Sequence, residues 1–364
     1  MIIARTPFRL SFFGGGTDYP AWYRSEGGAV LSTTIDKYCY LSVRHLPPFF
    51  TTKHRVVWSH VETVSTLAEI LHPAVREGLR MLGFDDETGL EIHHQGDLPA
   101  RAGMGSSSAF AVGLIQALAA FRGQMIGKHE LALQAIALEQ ECLAENVGSQ
   151  DQVAASYGGL NRIVFCPSGE IRVDPVTVQP ARIQELQSRL MLVYTGTSRL
   201  ASEIAADVVA NLHAKREALL RMRAMVDEAV NLLGSESDLD AFGALLDEGW
   251  TLKQQLSSRV ASDVVEEVYR KAVKQGAIGG KLLGAGSSGF MLFYVPPRRR
   301  DAVLRALSGY LHVPFSFEGE GSRIIYYGPR GERLQVVAPR TRLIAVPASR
   351  AGREGDDGRV GAGR

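Results

Sequence analysis

Residues 97–109, Asp-Leu-Pro-Ala-Arg-Ala-Gly-Met-Gly-Ser-Ser-Ser-Ala, bring two glycines and three serines into one short loop. Gly103 and Gly105 allow a close approach of backbone to ligand that side chains there would prevent. Ser106, Ser107 and Ser108 stand where a helix begins, and their hydroxyls can cap its free amides or face an anion. A helix N-terminus with unpaired N–H groups and the positive end of its dipole is a ready phosphate site. The loop therefore points to a nucleoside triphosphate. It is not a Walker A loop, because no Lys-Ser or Lys-Thr pair follows the second glycine. Taken alone, it also reads as an ordinary glycine turn with a serine cap.

Two further segments hold groups able to act on a hydroxyl. In Thr6–Tyr19, Phe8, Leu10 and Phe12 alternate with Arg9 and Ser11, which puts Arg9 on the face away from a core-directed set. Gly14, Gly15 and Gly16 then expose backbone, and Thr17, Asp18 and Tyr19 add hydrogen-bonding groups. Such a cluster suits a polyhydroxylated ligand: Asp18 can accept from two hydroxyls, and Arg9 can serve a phosphate. It also fits a strand-to-turn junction with Asp18 in an Asx turn. In Gly148–Val153, Asp151 has polar neighbours and can orient or deprotonate a hydroxyl, or cap the next helix. Gly284–Gly289 matches the dinucleotide pattern GxGxxG in form only. That fingerprint opens a helix, whereas this loop feeds the apolar strand-like run from Phe290, so nicotinamide and flavin binding are set aside.

Strands and helices alternate around these loops. Strands are expected at Leu90–His93, Leu160–Phe165, Leu190–Tyr194, after Gly289 and near Ser322–Tyr327, and 29–43 reads as two short ones. Helices are expected at 110–120, 298–310 and 129–145, where Leu131, Ala135, Leu138 and Cys142 share a face. Cys142 thereby reads as a small buried hydrophobe. Residues 201–275 are predominantly helical, with an apolar stripe of Leu219, Met222, Val226, Ala229 and Leu233. Strand, helices, strand, helix, strand in the second half suggests helices on one face of an antiparallel sheet, an α+β arrangement.

A chain of 364 residues has room for two domains and a cleft, at ~100–200 residues per domain. The net charge of +1, from 40 basic and 39 acidic side chains, gives no global field to hold nucleic acid or an anionic membrane. A small-molecule partner is expected instead. Cys39, Cys142 and Cys166 are too scattered for a disulfide framework or a metal site. The apolar N-terminal run is broken by Arg5, Pro7 and Arg9, unlike a secretory leader, and no stretch approaches the ~18 apolar residues of a membrane span. The expected location is the cytoplasm. Residues 336–364 end in a segment with little to bury and are expected to be a disordered tail.

The three loops, in this order and spacing, resemble the GHMP kinases, a superfamily of small-molecule kinases. Residues 5–19 look like its first motif, 99–109 its second, phosphate-binding motif, and 281–290 its third. The resemblance covers about residues 1–330. It implies a two-domain α+β fold with a ribosomal-protein-like N-terminal domain, 1–180, and a ferredoxin-like C-terminal domain, 181–335. ATP would lie in the cleft, against Pro99, Arg101, Gly103, Met104, Gly105, Ser106, Ser107 and Ser108. Ser107 is the implied Mg²⁺ contact, together with a glutamate one helix before the catalytic aspartate. Glu139 fits that distance best, and Glu141 also lies in range. Asp151 matches the catalytic aspartate, and Arg9 the basic residue that lowers the charge cost at the acceptor hydroxyl.

Gly15, Gly16, Thr17, Asp18, Tyr19, Gln152 and Gly286 fall on the substrate side of the resemblance. Galactokinases carry Glu-His where this chain has Gly15-Gly16, so contacts to galactose are missing and a larger substrate has room. The forms FRLSFFGGGTDYP, LPARAGMGSSSAF and ENVGSQDQVAASYGG are most similar to the branch that phosphorylates the anomeric hydroxyl of D-glycero-D-manno-heptose 7-phosphate, toward GDP-heptose for bacterial surface polysaccharide. Other sugar-1-kinases, for L-fucose or a uronic acid, share the motifs, and a catalytically silent sugar sensor is the non-enzyme alternative. Ser287-Ser288 stands where the third motif usually has glycines. A sugar that already bears a phosphate needs a cationic pocket, expected at Thr197, Ser198 and Arg199 with help from Lys281. The expected partners are thus a sugar phosphate and ATP, with a homodimer left open.

Overall fold

Apolar alternation from Ile2 onward produces β1 (Ile2–Phe13), which leads through α1 (Pro20–Glu26) into β2 (Gly28–His45). The expected pair of strands at 29–43 is one long strand. Its register against β1 slips between Pro7 and Phe8, opposite Tyr38 and Ile35. Asp36 and Lys37 bulge there, which mimics a turn in the sequence without ending the pairing. The chain continues through β3 (His54–Val57), β4 (Val61–Val64), α2 (Pro73–Met81) and β5 (Leu90–Gly96). After these come α3 (Ser106–Phe121), α4 (Lys128–Ala137), α5 (Gln150–Tyr157), β6 (Asn161–Phe165) and β7 (Ile171–Pro175).

The second half runs α6 (Pro180–Arg189), β8 (Leu190–Tyr194), α7 (Ala201–Asn211), α8 (Arg216–Gly234), α9 (Asp240–Gln254) and α10 (Asp263–Lys274). It ends with β9 (Gly279–Leu282), β10 (Phe290–Tyr294), α11 (Arg300–Ala306), β11 (Leu311–Val313), β12 (Phe317–Glu318) and β13 (Arg323–Tyr327). This computed structural model describes residues 1–47, 49–196, 201–257 and 259–328. Thr197, Ser198, Arg199 and the tail expected from 336 lie outside the described residues.

Two sheets organise the molecule. In the second, the order is β11-β8-β10-β9 and every pairing is antiparallel, with helices in the β8–β9 and β10–β11 connections. That is the expected ferredoxin-like arrangement, and the stripe Leu219, Met222, Val226, Ala229 and Leu233 is buried along α8. The first sheet follows β13-β1-β2-β5-β3-β4, with β6 and β12 also on β2 and β7 on β6. From sequence order, the strand near 322–327 belongs with the second sheet. It instead returns to pair antiparallel with β1, Ile2 opposite Tyr327. A hydrogen bond between Thr6 and Ser322 (2.7 Å) ties that return inside the molecule.

Helix α3 is buried along most of its length, as a helix that is apolar all round must be. It lies close over β1: a Cβ at Gly113 would stand 2.8 Å from Thr6 Oγ1. The sequence pattern also runs α4 on as one helix to 145. In the structure it gives way to a π-helical turn, Leu138–Cys142. The extra residue in that turn breaks the shared face, so Leu131, Ala135 and Leu138 are buried while Cys142 is exposed. The same turn carries Glu139, which is buried. π-Turns of this kind are frequent at functional sites. No helix among the described residues is long and apolar enough to cross a membrane.

Candidate active site

The face of β1 opposite its core residues brings Arg9 and Ser11 to a cleft of about 1040 Å³, bordered by the loops around 15–19, 98–107, 143–151 and 283–288. Helix α3 opens onto this cleft. Its cap, Gly105, is left-handed at φ +71°, and no side chain caps the first turn. Ser106 Oγ accepts from the Arg101 N–H (3.2 Å), and Ser108 Oγ donates to Glu139 (2.6 Å). The serines therefore do not close the helix end, and its first amides stay available to an anion.

Arg9 and Asp151 meet in a two-pronged pair: Nε–H donates to Oδ1 at 2.6 Å and Nη2–H to Oδ2 at 2.7 Å. The third arm of the guanidinium donates to the Gly103 carbonyl at 2.8 Å, which ties the pair to the phosphate-type loop. A Cβ on Gly105, where φ is +71°, would stand 3.1 Å from Asp151 Oδ2, so a glycine there lets that carboxylate lie against the loop undisplaced. Asp18 is buried beside them. It accepts from the Gly16 N–H (2.9 Å) and from Gln150 Nε2 (3.0 Å), and burial followed by the Asp151 charge pushes its carboxyl up despite those bonds. A Cβ at Gly148 would fall 1.9 Å from Asp18 Oδ2, so a glycine there makes room for the carboxylate.

Glu139 Oε2 accepts from Ser108 and from Gln152 Nε2, both at 2.6 Å, while its buried Oε1 has no partner. Burial pushes this carboxyl up to about 7, against the hydrogen bonds from Ser108 and Gln152. A desolvated carboxylate with a free oxygen beside a serine hydroxyl fits a divalent cation. No group of three or more His, Cys, Asp or Glu is placed to hold a metal among the described residues. Mg²⁺ suits that poverty, because it takes one or two protein ligands and fills its shell with phosphate oxygens and water. Glu141, the alternative, is exposed.

The three positive-φ residues other than glycine among the described residues, Arg101, Ala144 and Ser287, all lie in loops at this cleft. Strain of that kind persists only where surroundings over-determine it. Ser287 is held by its N–H on the Val260 carbonyl (2.8 Å) and by Ser262 Oγ on its own carbonyl (2.6 Å). The loop at 283–286 packs directly on the loop at 103. A Cβ at Gly103 (φ +83°) would lie 2.3 Å from the Leu283 oxygen. Gly103→Ala must push these loops apart, at about 1–3 kcal/mol. It is expected to lower Tm by several degrees and raise KM for ATP ~10-fold; a melt and KM matching the wild type would show the loops to be independent.

Several residues expected at the site stand elsewhere. Gln152 is wholly buried and its amide is spent on Glu139, while Gln150 faces the cleft and bonds Ser11 and Asp18. Thr17 is buried and staples its own turn to the Gly14 and Ala29 carbonyls. Met104 packs in the core, and Pro99 is exposed away from the lining. Gly15, Gly16, Asp18, Tyr19, Arg101, Gly103, Gly105, Ser106, Ser107, Lys281 and Gly286 do line the cleft.

Other lining residues gave no signal in the sequence. Lys253, inside α9, carries no local motif. Trp58, His72, His94 and Phe110 come from four separate segments and form one end of the cleft. His72 stacks on Phe110 at 4.6 Å between centroids, and Trp58 and His94 meet these rings edge-on at 4.8 and 5.0 Å. Burial, then the neighbouring His94, holds His72 down to about 4, and burial lowers His94 as well. Both imidazoles are neutral at pH 7, so this end offers a flat, uncharged slot.

Comparison with known proteins agrees with the geometry. Residues 66–159 match the GHMP kinases N terminal domain and 225–312 the GHMP kinases C terminal. Over 332 residues the chain is 30% identical to the D-glycero-alpha-D-manno-heptose 7-phosphate kinase of Campylobacter jejuni, covering 88% of this chain and 97% of that one. It is 26% identical to the bifunctional fucokinase/GDP-fucose pyrophosphorylase of Arabidopsis thaliana, over 82% of this chain and 30% of that longer protein. The crystal structure of a D-glycero-D-manno-heptose 1-phosphate kinase from Bacteroides thetaiotaomicron superposes with a TM-score of 0.73 at 23% identity, covering 89% of this chain and 98% of its own.

Proposed function

Because the chain belongs to the GHMP kinases, we propose that it transfers the γ-phosphoryl group of ATP to the anomeric hydroxyl of D-glycero-D-manno-heptose 7-phosphate, giving the 1,7-bisphosphate. Phosphoryl transfer to an alcohol acceptor is the reaction class of its family, and its relatives include kinases of heptose 7-phosphate and fucose. The observation that carries the mechanism is the Arg9–Asp151 fork, held against the uncapped start of α3.

Each step follows from that juxtaposition. The amides at the start of α3, with Gly103 and Gly105, cradle the triphosphate, while the neutral ring slot takes the base. Ser107 and Glu139 are the residues that would hold Mg²⁺, which when bound offsets charge on the phosphate oxygens. Asp151 orients the anomeric hydroxyl and accepts its proton. Arg9 keeps that carboxylate fixed and positions positive charge beside the oxygen that attacks. Asp18, Gln150 and Ser11 supply acceptors and donors for sugar hydroxyls. Positioning and charge compensation are most of what phosphoryl transfer requires.

The Campylobacter relative, together with glycines at 15 and 16 on the cleft lining where galactokinases carry Glu-His, supports a heptose over galactose. An ADP-release assay across heptose 7-phosphate, unphosphorylated heptose, L-fucose, galactose and a uronic acid tests the choice. The highest kcat/KM is expected for heptose 7-phosphate, with phosphorus NMR showing a new anomeric phosphate. A preference for L-fucose would move the chain to the fucokinase side of the family, and turnover of none would leave the sensor reading.

A further inference from the structure

We propose that Lys253 and Lys281 form a second anion site in the cleft, built from α9 and β9, which binds the phosphate already present on the sugar. This rests on the heptose 7-phosphate reading and gives it the cationic pocket that reading requires.

The site follows from counting charges and their partners. Arg9 is neutralised by Asp151 through both carboxylate oxygens. Lys281 is buried, and its ammonium donates to the Phe12 carbonyl (2.8 Å). Lys253 is half-buried and donates to the carbonyls of Leu282 (2.7 Å) and Gly284. Neither meets a carboxylate among the described residues. The nearest candidates are committed: Asp18 to Gly16 and Gln150, Asp151 to Arg9. An ammonium has three N–H donors, so Lys281 keeps two and Lys253 one. Both side chains line the cleft with Gly284 and Gly286. A phosphate monoester supplies what is missing, two negative charges and several acceptor oxygens.

The electrostatics agree. Burial lowers Lys281 to about 7, with Arg9 of β1 lowering it further and Asp18 raising it. Lys253 is lowered by burial, then by Lys281 and Arg9, and raised by Asp151. An anion between them restores both charges. The triphosphate also carries such oxygens, so the test must separate the two sources of phosphate.

Lys253→Gln and Lys281→Gln should each reduce the ratio of kcat/KM for heptose 7-phosphate to kcat/KM for unphosphorylated heptose ~10- to 100-fold, the worth of a hydrogen bond to a charged group. A lysine that only braced the glycine loop, or served the γ-phosphate, would depress both sugars alike and leave the ratio unchanged. That result overturns the site. If the wild type shows no preference for the phosphorylated sugar, the heptose 7-phosphate reading falls. If the wild type prefers it and the variants keep that preference, only the lysine site falls.

Should a variant not fold, calorimetry on the wild type decides. Inorganic phosphate is titrated at pH 8 into protein saturated with ADP and Mg²⁺, in two buffers of different protonation enthalpy. Binding with net proton uptake supports the site. No binding, or binding only when nucleotide is left out, overturns it.

Discussion

Asp151→Asn is expected to lower kcat by ~100- to 10,000-fold, the range for losing a positioned general base, while ATP affinity changes only a few-fold. The carboxylate presents two oxygens to two guanidinium donors, at 2.6 and 2.7 Å. An asparagine keeps one acceptor and turns an NH₂ toward the other donor, so one prong of the fork becomes a donor–donor clash. The Arg9 side chain is 5% exposed, and its charge would be left without compensation where water cannot screen it. The variant should therefore lose stability as well as turnover. Nucleotide affinity separates these effects, because the α3 amides proposed to hold the triphosphate make no hydrogen bond to Asp151. ADP release with saturating sugar and ATP, beside a nucleotide titration, is the measurement. A variant retaining more than a tenth of wild-type kcat would remove Asp151 from the proton transfer.

What the sequence disclosed here follows a physical line. Glycines and serines at 103–108, or Arg9 opposite Phe8 and Leu10, declare themselves because their meaning is local. The position of a helix start, the face of a strand and a glycine that admits a carboxylate are fixed by a few neighbouring residues. Lys253 could not be read that way. It sits between Leu252 and Gln254 in a helix, and only the packing of α9 against β9 brings it to Lys281. Trp58 and His72 likewise acquire a role from the fold that stacks them near Phe110. Gln150 and Gln152 show a finer limit. They flank Asp151 on one helix, where each residue turns by about 100°, so the phase decides which amide meets the cleft. The π-turn at Leu138–Cys142 defeated periodicity outright, since one added residue exposes Cys142 where a regular helix would bury it. The pairing of β13 with β1 joins residues more than three hundred positions apart, and no local pattern encodes it.

That π-turn also sets up the other large effect. With divalent cations removed, the wild type is expected to lose stability as pH rises from about 4.5 to about 7, because Glu139 is pushed up from 4.5 to about 7. Below that window the group is protonated in folded and unfolded chains alike. Within it the folded chain holds a proton that the unfolded chain has released, so rising pH favours unfolding. Above it the penalty is complete, on the order of 3 kcal/mol. Asp18, also raised by burial, adds the same sign. Lys281, lowered to about 7, works the other way above neutrality, where the unfolded chain binds the extra proton. The difference between wild type and Glu139→Gln isolates the one carboxylate. The variant should have a flatter Tm–pH profile and, at pH 8 in a chelator, melt above the wild type. Mg²⁺ with ADP should raise the wild-type Tm more at pH 8 than at pH 6, since at pH 6 the ion must displace a proton, and should do much less for the variant. Turnover should fall by ~100-fold or more, as for loss of a group that compensates transition-state charge. Parallel pH profiles for the two proteins would mean that Glu139 is not the destabilising carboxylate. An equal Mg²⁺ shift in both would take the cation away from it, so the same melts test the buried charge and the ion that would answer it.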